Sequence, residues 1–154
     1  MLGFFKKSVE VIKYPIEGTR IPLSSVPDEV FSKKMLGDGT AILPQGSIVS
    51  APCNCEVIQI FPTNHAIGLL TEKGIELLIH IGIDTVELKG NGFKRIASVG
   101  DKLKTGDPIV EIDRDVILEQ GKKLETPIII TNMEIVKSID TEAGDDDIMV
   151  VVLK

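Results

Sequence analysis

The segment His65-Ala66-Ile67-Gly68-Leu69-Leu70-Thr71-Glu72-Lys73-Gly74-Ile75-Glu76-Leu77-Leu78-Ile79-His80-Ile81-Gly82-Ile83-Asp84 contains one turn and one long alternation. Ile75, Leu77, Ile79, Ile81 and Ile83 fall on one parity of an extended chain, and Glu76, Leu78, His80, Gly82 and Asp84 fall on the other. Such alternation predicts a strand with its isoleucine row in a core. Thr71-Glu72-Lys73-Gly74 is a hairpin signal, because Gly74 supplies the positive φ that a tight turn requires. A two-residue Lys73-Gly74 loop pairs Glu72 with Ile75, Leu69 with Leu78, Ile67 with His80 and His65 with Gly82. The two histidines then become diagonal neighbours on one face, roughly 7–8 Å apart at the backbone. Gly82 leaves a hollow beside both rings, and Ile67, Leu69 and Leu78 form an apolar rim around them.

Working outward, β-branched and apolar runs recur at residues 40–43, 47–50, 56–61, 65–72, 75–83, 108–112, 127–131 and 148–153. Glycine turns such as Gly37-Asp38-Gly39, Gly90-Asn91-Gly92 and Gly106-Asp107-Pro108 separate them. Short strands at this spacing predict an all-β, antiparallel sandwich or barrel. Two short helical turns are expected. One has a cap at Ser25, a nearby proline at Pro27 and first-turn acids at Asp28 and Glu29 before Val30 and Phe31, and the other runs from a capping Asp113 through Leu118 to Gly121.

Residues 1–13 differ in character. Leu2, Phe4, Phe5, Val9 and Ile12 alternate with Lys6, Lys7 and Lys13 at spacings that fit an amphipathic helical turn. That pattern suits peripheral contact with an anionic membrane face; the other reading is a frayed or docked tail. The expected division is an N-terminal segment at 1–19 and one domain at 20–154.

The chain has 154 residues, 43% of them hydrophobic and 26% charged, which is enough to bury a core and too ordered a composition for disorder. Its 23 acids against 17 bases leave a net charge of −6, with no tryptophan to stack on bases. Nucleic acid is therefore excluded as an expected partner. Apolar runs fall short of the roughly 20 residues a membrane helix needs, and the N-terminus does not read as a secretory leader. Cys53 and Cys55, two apart, read as small half-buried thiols rather than a disulfide framework. The expected location is cytoplasmic.

The chemistry must rest on the two histidines. They lie on a docking patch or are incidental surface residues of a half-exposed sheet. With Asp84 they make an incomplete metal site, to be completed by a partner's ligand. No Gly-x-Ser-x-Gly elbow and no phosphate-binding glycine loop occur. What remains is an imidazole nucleophile with a second imidazole placed to stabilise an anion.

Thr63-Asn64-His65-Ala66, followed by Gly74-Ile75-Glu76-Leu77-Leu78-Ile79-His80-Ile81-Gly82-Ile83-Asp84-Thr85-Val86-Glu87-Leu88, closely resembles the glucose-family IIA domain of the phosphoenolpyruvate:sugar phosphotransferase system. Val26-Pro27-Asp28-Glu29-Val30-Phe31, Lys89-Gly90-Asn91-Gly92-Phe93 and Thr126-Pro127-Ile128 match in the same order. The resemblance implies an antiparallel β-sandwich of the duplicated-hybrid-motif type. It implies a phosphocarrier that accepts a phosphoryl group from HPr and passes it to a cysteine of the IIB domain of a sugar permease. It places the phosphorylated residue at His80, the supporting imidazole at His65 and the threonine that orients it at Thr63. Asp28 and Asp84 fall on flanking acidic positions, and Val30, Phe31, Phe61, Ile67, Leu78 and Val86 on the docking rim. Leu78 and Phe31 are expected to be solvent-exposed. No cofactor is required; His65 and His80 become zinc ligands only at a partner interface. Regulatory protein targets of the unphosphorylated form are a further implied class of partner. Two rivals stand beside this reading. Val99-Gly100-Asp101-Lys102-Leu103-Lys104-Thr105-Gly106-Asp107-Pro108 is similar to turn phrases of biotinyl and lipoyl carriers, although no Met-Lys-Met tip occurs. The other is a regulator that only binds proteins.

Overall fold

Alternating apolar residues and turn glycines produce thirteen strands within residues 8–154, the part of the chain that this computed structural model describes. They are β1 (Val9–Lys13), β2 (Gly18–Ile21), β3 (Asp38–Pro44), β4 (Ile48–Ser50), β5 (Cys55–Ile60), β6 (Ala66–Thr71), β7 (Glu76–His80), β8 (Phe93–Arg95), β9 (Lys102–Leu103), β10 (Pro108–Ile112), β11 (Thr126–Ile130), β12 (Val136–Asp140) and β13 (Asp147–Leu153). A seven-stranded sheet runs β2-β3-β11-β7-β6-β5-β9. Two three-stranded sheets, β1-β13-β12 and β4-β10-β8, complete the sandwich. Neighbouring strands pair antiparallel throughout the large sheet.

One core joins all three sheets. Ile67, Leu69, Leu77, Ile79, Ile128 and Ile130 of the large sheet meet Ile12, Val49, Ile109, Ile148 and Val151 of the smaller ones. The isoleucine row predicted from 75–83 is buried along its whole length. The other parity of the same strands does not face water everywhere. Leu23, Val26, Phe31, Ala41, Ile83 and Ile129 form a second apolar cluster on the outer face, with Leu78 packed against it. β11 is thus buried on both faces, which is why Ile128-Ile129-Ile130 reads as an uninterrupted apolar run.

Both expected helical turns form. The cap of α1 (Glu29–Ser32) is Asp28, which accepts from Val30 N, and not Ser25, which ends a separate short turn at Leu23–Ser25. Asp113 caps α2 (Arg114–Glu119) as expected by accepting from Val116 N.

The hairpin register is shifted by one residue from the expected one. Gly74 N donates to Thr71 O at 3.1 Å and Thr71 N donates to Ile75 O at 2.9 Å, so the loop has three residues, Glu72-Lys73-Gly74. Gly74 takes φ +91° at its end, the geometry of a three-residue loop closed by a left-handed residue. Ile75 N also donates to Thr71 Oγ1 at 3.0 Å, which favours this closure. Ala66 therefore pairs with His80, Ile67 with Ile79 and Leu69 with Leu77. A slip of one reverses the faces of a whole strand. Ile67 and Leu69 turn into the core, both fully buried, and neither belongs to a docking rim.

Of the two N-terminal readings, the docked segment holds from Val9 onward and the helical turn does not. Val9–Lys13 is a strand, not an amphipathic helical turn, and pairs with β13 from the far end of the chain (Val9 with Val152, Val11 with Val150). Ile12 is buried in the main core, and Lys13 pairs with Asp147 at 2.6 Å. β2 likewise joins the large sheet through β3, so the body of the domain starts before residue 20. Leu2, Phe4, Phe5, Lys6 and Lys7 lie outside the described residues, and the expected membrane contact with them.

Candidate phosphoryl-transfer site

The turn between β5 and β6 sets the first imidazole. Phe61 N donates to Ala66 O and Asn64 N to Phe61 O, and Asn64 takes φ +62°. That left-handed residue suits asparagine. Arg95 Nε donates to Asn64 Oδ1 at 3.1 Å and ties the turn to β8. His65 follows and is buried; its Nδ1 lies 2.6 Å from Thr63 Oγ1, and the edge of Phe61 packs on its ring at 5.5 Å between centroids.

His80 closes β7 beside it. The two rings stand 5.1 Å apart, nearly perpendicular at 81°. They do not meet as diagonal neighbours on one face. His65 precedes β6 and its backbone carbonyl accepts from Ile81 N, so the pair forms where both strands end and alternation lapses. Phe31 packs against His80 from α1, with centroids 5.0 Å apart.

His80 Nδ1 lies 2.8 Å from Gly82 O. A carbonyl only accepts, so Nδ1 carries the proton and Nε2 of the neutral ring keeps its lone pair. Gly82 has another role than the expected hollow. At φ +76° a Cβ there would stand 2.6 Å from Thr85 Cγ2 and 2.8 Å from Lys123 O, so the space beside it is filled. Glycine is required for the turn that aims its carbonyl at the ring.

Burial pushes His80 below the ordinary imidazole range, against opposing contributions from the Gly82 carbonyl and the Asp28 and Asp84 carboxylates. Burial lowers His65 further, to about 4, and the neighbouring His80 ring adds to the effect. Both rings are thus neutral at pH 7. The unfolded chain, with histidine near 6.5, binds a proton that folded His65 refuses. Its contribution to stability is unchanged above pH ~6.5 and becomes unfavourable as pH falls toward ~4. Urea unfolding near pH 7 and near pH 4.5 should show the parent losing ~2 kcal/mol more than His65→Gln across that interval. Equal losses in the two proteins would remove the buried neutral His65 from the account.

The structure brings only some of the expected site residues together. Thr63, His65, His80, Phe61 and Phe31 form one contiguous cluster, with Asp28 and Asp84 close enough to act on His80. Val30 and Val86 are exposed, Val86 at 52%. Phe31 and Leu78 depart from the expected exposure. Phe31 is 4% exposed and Leu78 half-buried, because the second apolar cluster covers that face of β7. Ile67 faces the opposite way. Among the described residues, no three histidine, cysteine or carboxylate side chains converge to hold a metal, and the site offers two imidazoles only. Arg95 and the Gly82 carbonyl carry no motif signal of their own and emerge only from contacts. A cleft of about 570 Å³ between Ser47, Lys94, Glu111 and Arg114 touches neither imidazole.

A β-sandwich with such a pair at the ends of adjacent strands is the frame of a sugar-uptake IIA component, and the chain belongs to the family described as "phosphoenolpyruvate-dependent sugar phosphotransferase system, EIIA 1", whose model matches residues 10–136. It is 44% identical over 140 residues to a PTS system glucose-specific EIIA component of Haemophilus influenzae, covering 90% of this chain and 84% of that one. It is 41% identical over 137 residues to the component so named in Halalkalibacterium halodurans, covering 89% and 79%. The solved glucose permease IIA from Mycoplasma capricolum superposes with a TM-score of 0.85 at 36% identity, across 98% of this chain and 99% of that one. Among the described residues, no helix is long and apolar enough to cross a membrane.

Proposed function

We propose that this chain is a cytoplasmic phosphocarrier that takes a phosphoryl group from phospho-HPr onto His80 and passes it to a cysteine of a IIB domain. The observation that carries this reading is the 2.8 Å contact between His80 Nδ1 and Gly82 O, which leaves Nε2 unprotonated and, among the described residues, without a hydrogen-bond partner. In the first step the Nε2 lone pair attacks phosphorus in line. The N–P bond of the donor phosphohistidine breaks, and its electron pair returns to the donor ring. In the second step a IIB thiolate attacks the same phosphorus, an S–P bond forms, and the pair returns to His80 Nε2. Such transfer is mostly positioning and charge stabilisation.

His65 supplies the second part. With Thr63 donating its hydroxyl proton to Nδ1, the neutral His65 ring carries its proton on Nε2 and offers it to a phosphoryl oxygen. Its depressed pKa keeps the ring an uncharged donor, which moderates its hold on a group that must leave again. Glucose is the first sugar to test, since the relatives above carry it in their names.

Mass spectrometry after incubation with phosphoenolpyruvate, Enzyme I and HPr tests the reading. One phosphoryl group on the peptide containing His80 is expected; an unlabelled chain would leave only a protein-binding role.

The docking face is expected to centre on exposed apolar residues beside His80. Val86→Asp should weaken HPr binding about tenfold while moving stability by no more than ~0.5 kcal/mol. Titration calorimetry with HPr measures it, and unchanged affinity would place the interface elsewhere.

A further inference from the structure

Two fully buried threonines behind His80, Thr85 and Thr126, have no part in the chemistry above. Each bonds a different edge of the Ile81–Gly82 peptide. Thr85 Oγ1 donates to Ile81 O at 2.5 Å, and Gly82 N donates to Thr126 Oγ1 at 3.4 Å. Thr126 directs its single hydroxyl proton to Leu124 O at 2.8 Å, so its oxygen is left to accept from the Gly82 amide.

The following peptide, Gly82–Ile83, is also held on both edges. Ile83 N donates to Lys123 O at 3.0 Å, while Gly82 O faces His80 Nδ1 at 2.8 Å. The joint between these two peptide planes is Gly82 itself, the residue type with the widest freedom of φ and ψ. Free rotation there would swing the carbonyl away from the ring. Three bonds restrain that rotation, and the two buried threonines provide two of them.

We infer that Thr85 and Thr126 are positioning residues for phosphoryl acceptance: they fix the Ile81–Gly82 peptide, hold the Gly82 carbonyl on His80 Nδ1 and keep Nε2 the attacking nitrogen. This rests on the reading of His80 as acceptor. A histidine free in water favours the opposite tautomer, with the proton on Nε2, so loosening the peptide converts the ring toward a form that cannot attack through that nitrogen. Asp28 and Asp84 bias the charge of the ring. The tautomer is set by what Nδ1 meets.

Thr126→Val keeps the shape and removes both hydroxyl bonds, whereas Thr126→Ser keeps them. Nitrogen-15 NMR of histidine-labelled protein reads the His80 tautomer without any donor present. The parent and Thr126→Ser should hold the proton on Nδ1. Thr126→Val should show a growing share on Nε2 and accept phosphoryl from phospho-HPr about tenfold more slowly at saturating HPr, with its half-saturating HPr concentration unchanged. Should Thr126→Val fail to fold, Thr85→Val removes the other hydroxyl and is read in the same way. A folded valine variant with the parent's tautomer overturns the inference, whether or not its rate falls. A parent that holds the Nδ1 proton yet never takes label overturns the acceptor reading instead, so the two failures are distinct.

Discussion

His80→Ala is expected to take up no phosphoryl group from phospho-HPr while remaining folded. The ring is half-buried at the end of β7 and contributes contacts with Phe31 and His65, not a place in the main core. Losing it should cost no more than ~1–2 kcal/mol of stability, well inside the margin of a domain this size. The chemical loss is complete by comparison, because the nucleophile itself is gone and His65 cannot replace it. His65 is buried, faces His80 edge-on, and has one nitrogen engaged by Thr63. Retained labelling of a folded His80→Ala protein, followed by autoradiography, would move the acceptor elsewhere.

His65→Gln should separate the two halves of the relay. Nε2 of His80 is held ready by Gly82, so acceptance is expected to fall less than tenfold. Donation to a IIB cysteine differs, because charge accumulates on the phosphoryl oxygens as the N–P bond breaks beside His65. Removing one well-aimed donor from such a transition state typically costs 10²–10³ in rate. Glutamine can hydrogen-bond but lacks the ring that Thr63 and Phe61 hold in place. Rapid-quench measurement with labelled protein and isolated IIB domain should therefore show donation slowed by about a hundredfold. Donation at the parent rate would leave His65 with a packing role alone.

Much of the fold is legible where local pattern and tertiary outcome agree. The isoleucine row of 75–83, the capping Asp113 and the antiparallel strands follow from period, turn chemistry and capping, each decided within a few residues. The register of the β6–β7 hairpin was not legible. Lys73-Gly74 and Glu72-Lys73-Gly74 are both acceptable loops in sequence. The choice between them is set by the Thr71 hydroxyl on the Ile75 amide and by whether Ile67 and Leu69 find a core to enter. β1 is hidden for a related reason. Its partner β13 is contributed by the opposite end of the chain, and the spacing of Val9 and Ile12 alone fits a helical turn as well as a strand.

The site shows the same division. Residue types and the glycine hairpin between β6 and β7 point to His65 and His80, and the two rings do meet. They meet by the termination of two strands, not by the cross-strand geometry that a two-residue loop would give. Leu78 is an apolar residue on a parity that alternation assigns to solvent, whereas Phe31 lies in α1 and its expected exposure comes only from the docking rim that the resemblance implies. Only the Leu23–Phe31 segment, folded over that face, explains their burial. The bond between His80 and the Gly82 carbonyl belongs to backbone conformation, and its one trace in the sequence is the glycine itself.

That bond also makes the central claim regiospecific. Phosphorus-31 NMR of the phosphorylated chain distinguishes the two nitrogen isomers of phosphohistidine, and His65→Gln phosphorylated in parallel assigns the signal to one residue. A single resonance of the Nε2 isomer, present in both proteins and absent from His80→Ala, is the predicted result. A resonance of the Nδ1 isomer, or one that disappears with His65, would contradict it.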